Sequence, residues 1–392
     1  MLRFILLGLL AVLAVFALAV PTQAQATTVE TVLPAGSDID DGLVLGPDGA
    51  LYGSRFGGFP TPIGRTVTRV EFPEAMTSIY ADGFSRANGL TFGPDGTLYV
   101  ANYNTGTVSA VTPDGNISLF GRAPGPTTVS GLLYDTARDV VVVASYDGNW
   151  VKTVDANGTF ADVIDEGLNF PAGLAFDDEG RLYVADFERG KIYRIDGYPD
   201  TPSLVQIADL ATDIGFLAYG GGQLFATGID DNRVYEISLD GTVTVLAGTG
   251  TRATLDGPGD TAQFNRPNGI VATANGDTLY VSQAGDRALR RIVRTTTTSA
   301  DDTQPESGVL LLAPAPNPTS GTAHLRFALD APTNVSLTLI DLLGRQRQVL
   351  ATGLLGAGEH ARQIDTAGLA SGVYVVVLRT TAGVQTKRLT VR

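Results

Sequence analysis

Asn88-Gly89-Leu90-Thr91-Phe92-Gly93-Pro94-Asp95-Gly96-Thr97-Leu98-Tyr99-Val100-Ala101 is one copy of the pattern that organises this chain. Apolar residues alternating up to Phe92 predict a strand. Pro94-Asp95-Gly96 predicts a hairpin turn, with glycine at the position that needs a positive φ. Leu98 to Ala101 is apolar on both faces, which predicts a strand packed between two layers. The same Gly-hydrophobic step recurs at Gly42-Leu43, Gly131-Leu132, Gly173-Leu174, Gly215-Phe216 and Gly269-Ile270. The second strands open at Leu51, Leu98, Val141, Leu182, Leu224 and Leu279, successive spacings of 47, 43, 41, 42 and 55 residues. That is the period of a four-stranded blade, so residues 27–294 are expected to form a six-bladed β-propeller.

The sixth copy lacks an outer strand, because Leu289 to Val293 runs straight into Thr295-Thr296-Thr297-Thr298. Thr28 to Leu33, near the start of the chain, has the pattern of the missing strand. Residues 28–33 are therefore expected to close the ring, since an open blade would leave strand edges unpaired. Residues 295–307 read as a Thr/Asp/Pro/Ser linker. About seven further strands follow in 308–392, a spacing that suits a small immunoglobulin-like β-sandwich.

Residues 1–26 read as a secretory signal: Arg3, an apolar run from Phe4 to Val20, the breaker Pro21, and the small-x-small pattern Ala24-Gln25-Ala26. With no cysteine in the chain, an exported protein of this sequence has no disulfide framework. Charge is divided unevenly. Residues 27–294 carry 18 Lys/Arg against 34 Asp/Glu, whereas residues 308–392 carry 8 against 4. So acidic a propeller repels phosphate backbones, which argues against nucleic acid as a partner. Both histidines, His324 and His360, lie in the C-terminal segment. The propeller therefore has no histidine general base, no Ser-His-Asp triad, no cysteine nucleophile and no histidine-ligated zinc.

Two resemblances follow from the motifs. Asp256-Gly257-Pro258-Gly259-Asp260 through Asn265-Arg266-Pro267-Asn268-Gly269-Ile270, with Ala185-Asp186 and Lys191-Ile192, resembles an NHL repeat. It places the first domain near the NHL and gluconolactonase-like six-bladed propellers. The C-terminal segment resembles the type A sorting domain of the type IX (Por) secretion system. Its matching stations are Pro316-Asn317-Pro318, Asp341 with Gly344-Arg345, Gly372 with Tyr374, and the basic Lys387-Arg388. This resemblance implies recognition by the type IX machinery, export across both membranes, and a surface-attached or extracellular protein.

In gluconolactonase-like propellers a divalent cation sits at the mouth of the central channel, held partly by the residue before the first-strand glycine. Here those six residues are Asp41, Asn88, Ser130, Ala172, Ile214 and Asn268. Asp41, Asn88 and Asn268 are the candidate ligands for calcium or another divalent cation, one carboxylate and two amide oxygens. Pro171-Ala172-Gly173 departs from the family's Pro-Asp-Gly station and supplies nothing to a metal. The same Asn and Asp residues are also well suited simply to stabilise the turn entering each first strand.

Ser130 and the loops between second and third strands are expected to surround this mouth. They bring Tyr103, Asn104, Tyr146, Asp147, Glu188, Arg189, Asp231 and Arg287, a mixture suited to a glycan, a peptide or another small molecule. The chain is accordingly read first as a monomeric ligand-binding module, with enzymatic activity left open. The competing reading is a metal-dependent gluconolactonase-like hydrolase.

Overall fold

The computed structural model describes residues 25–57, 64–296, 309–312, 314–341, 346–370, 372–380 and 383–392. The expected signal sequence up to residue 24, residues 297–307 of the expected linker, and the sorting-motif residues Gly344 and Arg345 lie outside them. The chain divides into two compact units, residues 1–297 and 298–392.

The first unit is built from six antiparallel sheets arranged as blades. Blade one is Leu43–Leu45, Leu51–Ser54, Thr66–Glu71 and Met76–Asp82, hydrogen-bonded in chain order. Blades two to five repeat that order over 87–122, 129–164, 171–209 and 214–247. Second strands are buried along their whole length, as in Leu98–Asn102 and Leu182–Asp186, because each is covered on both faces by neighbouring blades. Tyr183, Ala185 and Ile192 of blade four pack in one core with Ile214, Leu224 and Ala226 of blade five.

Blade six is closed by the beginning of the chain. Its own strands are Pro267–Ala272, Thr278–Gln283 and Leu289–Thr296, and Gln25–Leu33 pairs antiparallel with the last of them. Thr28 lies opposite Val293 and Val29 opposite Ile292. The closure expected of residues 28–33 is thus present, three residues longer at its start. The third strand reaches Thr296, two residues past the expected end of the propeller.

Blade five departs from the sequence reading. In blade four Pro171 pairs with Asp186 and Leu174 with Val184; in blade five Ile214 pairs with Gly228 and Leu217 with Ala226. A bulge between these pairs sets the register, so Gly215 holds the mouth position and Phe216 holds the place that is glycine in the other five blades. Ile214, expected at the mouth, is fully buried in the core between blades four and five. At Gly42, Gly89, Gly131 and Gly269 a Cβ would run into the backbone of the next blade, so glycine there is imposed by close approach.

The second unit has two sheets. One is Val309–Leu311, Thr322–Leu329 and Gly358–Asp365; the other is Gln346–Leu355, Thr333–Asp341, Gly372–Thr380 and Gly383–Val391. Leu325 and Phe327 of the first sheet share one core with Leu337, Leu339, Val376 and Leu389 of the second, giving the expected β-sandwich. Two of the sorting-motif side chains, Asn317 and Tyr374, make hydrogen bonds within this unit. Asn317 donates to the Arg388 carbonyl and accepts from the Thr390 N–H, each at 2.8 Å. The Tyr374 hydroxyl donates to the Ala370 carbonyl at 2.9 Å. Lys387 and Arg388 are exposed on the final strand.

Candidate functional site

A cavity of about 590 Å³ opens at one end of the channel, a size suited to a small organic ligand. Its base is made by the six residues that precede the glycine ring: Asp41, Asn88, Ser130, Ala172, Gly215 and Asn268. Hydroxyls at the ends of second strands fix three of them. Ser282 donates to the Asp41 carbonyl at 2.7 Å, Ser54 to the Asn88 carbonyl at 2.7 Å, and Thr227 to the Asn268 carbonyl at 2.5 Å. Each bond crosses a blade interface, so the ring closure itself positions the base.

The polar residues form a continuous arc. Ser130 Oγ donates to Asn88 Oδ1 at 3.2 Å, and Asn88 Nδ2 donates to Asp41 Oδ2 at 3.3 Å. Asn268 approaches the same carboxylate from blade six and helps the ionised form. Asp41 Oδ1 is nevertheless buried without a hydrogen-bond partner. Burial raises the Asp41 pKa well above 3.8, and repulsion from Asp40 adds to the rise. Asp40 is raised too, by burial, although its oxygens accept from the N–H groups of Phe56 at 2.6 Å and Gly57 at 3.2 Å.

The walls come from the position two residues beyond the last core residue of each second strand. Around the ring these are Phe56, Tyr103, Tyr146, Phe187, Ile229 and Ala284, and all six line the cavity. The first four make an aromatic crescent across blades one to four. Ring centres are 5.0 Å apart for Phe56 and Tyr103, 5.8 Å for Tyr103 and Tyr146, and 5.3 Å for Tyr146 and Phe187. Burial pushes the Tyr146 hydroxyl up to about 12, so it is a neutral donor at ordinary pH. Blades five and six leave the crescent open, and there Arg266, Asp286 and Arg287 line the cavity.

Of the residues expected at the mouth, Asp41, Asn88, Asn268, Ser130, Tyr103, Tyr146 and Arg287 line the cavity, and the other five do not. In blades two to five the loop turns so tightly that only its first residue lines the cavity, whereas blade six contributes Ala284 through Arg287. Asn104 follows Tyr103 in a single 3-10 turn. Asp147 accepts from the N–H and hydroxyl of Thr128. Asp231 accepts from the Tyr235 hydroxyl. Glu188 and Arg189 are exposed beside Phe187. Phe56, Asp40, Phe216 and Arg266 were not anticipated. Phe56 could have been found by aligning the six second strands and counting two residues past each. Trp150 is buried in the core between blades two and three.

Asp186, next to the mouth, has a structural task. Its Oδ1 accepts from the Asn169 N–H at 2.9 Å while its Oδ2 is buried without a partner. Burial raises its pKa to about 6. Below the channel base lies a further, largely apolar cavity of about 390 Å³, and among the described residues Phe216 alone lines both.

Comparison with solved structures places the first unit among β-propellers. An auxiliary nutrient binding protein from Bacteroides thetaiotaomicron is 15% identical, with a TM-score of 0.58 covering 69% of this chain and 77% of that one. A putative gluconolactonase is 14% identical, with a TM-score of 0.54 covering 68% and 92%. A catalytically inactive histidine-to-alanine variant of virginiamycin B lyase from Staphylococcus aureus, with quinupristin, is 13% identical, with a TM-score of 0.50 covering 68% and 99%. At such identities the likeness is one of fold alone. No curated protein matches the chain. Residues 315–392 match the secretion system C-terminal sorting domain and residues 168–192 match the NHL repeat. The sorting domain directs the protein through the type IX system to the cell surface or the extracellular space. The chain thus joins a β-propeller containing an NHL repeat to a secretion system C-terminal sorting domain.

Proposed function

We propose that the propeller is a ligand-binding module, delivered to the cell exterior by its sorting domain, that takes a ring-bearing ligand such as a glycan at the channel mouth. The observation that carries this reading is the aromatic crescent, four consecutive blades presenting a ring at the same station around one cavity. Aromatic faces stack on the apolar faces of sugar rings and on planar groups, and they lose little conformational entropy in doing so. The solved propeller described as a nutrient binding protein is compatible with this reading. The absence of histidine from residues 27–294 disfavours lyase chemistry. Screening saccharides and peptides by calorimetry with the full chain tests the proposal. Tyr146→Ala is expected to weaken whichever ligand binds by roughly tenfold, since a ring contact contributes about 0.5–1.5 kcal/mol beyond its buried area. Unchanged affinity in that variant would remove the crescent from the site.

One observation favours a second reading, a divalent cation bound at Asp41. The Oδ1 of this buried carboxylate has no hydrogen-bond partner, which leaves it an unused oxygen ligand at the channel base. The rest of the donor set fits such an ion poorly. The Asn88 oxygen is engaged by Ser130 and its amide nitrogen faces Asp41, so the amide must turn over to coordinate. Among the described residues no group of three acidic or histidine side chains converges on one point. If a cation binds, Asp41 with the Asn88 and Asn268 oxygens would hold it, and it would supply Lewis-acid polarisation of a lactone carbonyl, the gluconolactonase-like alternative. Calcium at a hundred times its Kd should then stabilise the fold by about 2.7 kcal/mol, and Asp41→Asn should abolish the gain. A melting temperature indifferent to millimolar calcium would dispose of this reading.

A further inference from the structure

We propose that the ligand is an anionic saccharide, its acidic group held between Arg266 and Arg287 while a sugar ring lies against the crescent. This rests on the binding reading above and adds the ligand's charge. The protein around the mouth is strongly acidic, yet the lining spends its acidic groups internally. Both Asp40 oxygens accept from the Phe56 and Gly57 N–H groups. Asp286 accepts from Gln283 Nε2 at 2.8 Å, from the Ala288 N–H at 3.2 Å, and from the Thr254 hydroxyl. Asp41 is buried at the base among amides, where its charged form is disfavoured. Asn88 and Ser130 are joined to each other.

The lining arginines are different. Among the described residues the Arg266 guanidinium has one ion pair, a long one to Asp230 at 3.7 Å; its field also reaches Asp213, and its side chain is 44% exposed. Arg287 makes no ion pair among the described residues. Its positive field reaches the Asp40 carboxylate, whose ionised form it favours, and Arg55, whose pKa it helps to lower. The unspent hydrogen-bonding capacity that faces the cavity is therefore donor capacity, on two planar guanidinium groups suited to carboxylate or sulfate oxygens. Both stand where blade six carries Ala284-Gly285 in place of an aromatic ring, so the gap in the crescent gives room for a charged substituent. The rim acids Glu188, Asp213 and Asp230 lie outside the lining.

The test compares matched pairs by calorimetry on the full chain: oligogalacturonate against its fully methyl-esterified form, and a sulfated galactan oligosaccharide against its desulfated, neutral form. The acidic member of at least one pair is expected to bind roughly tenfold or more tightly, the scale of a charge-assisted hydrogen bond. Which pair responds tells carboxylate from sulfate. In the double variant Arg266→Gln, Arg287→Gln, with an unchanged melting temperature, that preference should vanish while the neutral form binds as before. In Tyr146→Ala both members should weaken together. Equal affinity within each pair would overturn the anionic inference and leave the binding reading intact. Failure of all four saccharides to bind would likewise overturn it, and the wider ligand screen would then decide the parent reading alone.

Discussion

Removing residues 27–33 is expected to abolish the cooperative unfolding transition of the propeller. The segment Gln25–Leu33 carries the whole outer ladder of blade six, and on its other side Thr28 and Val29 pair with Pro258 and Gly257. Val29 and Leu33 are buried, at 2% and 8% exposure. Glu30 pairs with Arg291, and Thr31 donates to Asp256 at 2.7 Å. Burial of two such side chains contributes about 4 kcal/mol. Loss of a ladder of this length removes several more, at about 1 kcal/mol per hydrogen bond. Together these are comparable to the 5–15 kcal/mol that holds a typical domain folded. Leu289–Thr296 would also be left as an unpaired edge inviting association. Calorimetry and limited proteolysis of the truncated protein check this; a melting temperature within a couple of degrees of the intact chain would show that the ring does not depend on this strand.

Arg290→Ala should be the most damaging single substitution, with an expected loss of about 2–5 kcal/mol, the scale for truncating a large, fully buried side chain. The Arg290 side chain is fully buried, which is rare for arginine and lowers its pKa. Its guanidinium donates to the carbonyls of Gln263 at 2.8 Å and Leu255 at 3.0 Å, to Asp256 at 2.8 Å and to Gln283 Oε1 at 3.2 Å. It also sits over the Phe264 ring at 5.1 Å. These contacts staple the long segment between blades five and six, which accounts for the 55-residue spacing, onto the last strand. Truncation removes all four of these bonds and leaves a void, while the Gln263 and Leu255 carbonyls keep only each other's N–H groups and Asp256 keeps only Thr31. Thermal melts report the loss, and protease sensitivity within residues 252–265 should rise. A variant as stable and as resistant as the parent would refute the staple.

The propeller was legible in sequence because each blade must solve one packing problem. Its glycine meets a neighbour's backbone and its second strand is covered on both faces, so the same residue types recur. Blade five was misread by one position because Gly215-Phe216-Leu217 offers a Gly-hydrophobic step in either register. Only the pairing of Leu217 with Ala226 decides it. At the site, Asp41, Asn88 and Asn268 were legible because they sit at a fixed offset from the repeated glycine. Asn104, Asp147 and Asp231 were misplaced because composition does not reveal how sharply a loop turns after its first residue. Arg266 escaped notice because the long segment before blade six has no counterpart elsewhere in the chain, and Asp286 because only the blade-six loop brings its third residue to the cavity.

The pairing of Glu30 with Arg291 spans 261 residues of chain, and it sets the order in which the molecule can assemble. A nascent chain emerging N-terminus first presents Gln25–Leu33 long before its partner exists. Five blades can form early from local contacts, but the annulus stays unlatched until residue 296 has appeared. Closing so wide a loop is entropically slow, so the last kinetic phase of refolding should be the docking of this one strand. The half-made protein is a C-shaped chain whose two unpaired ends can seal only against each other.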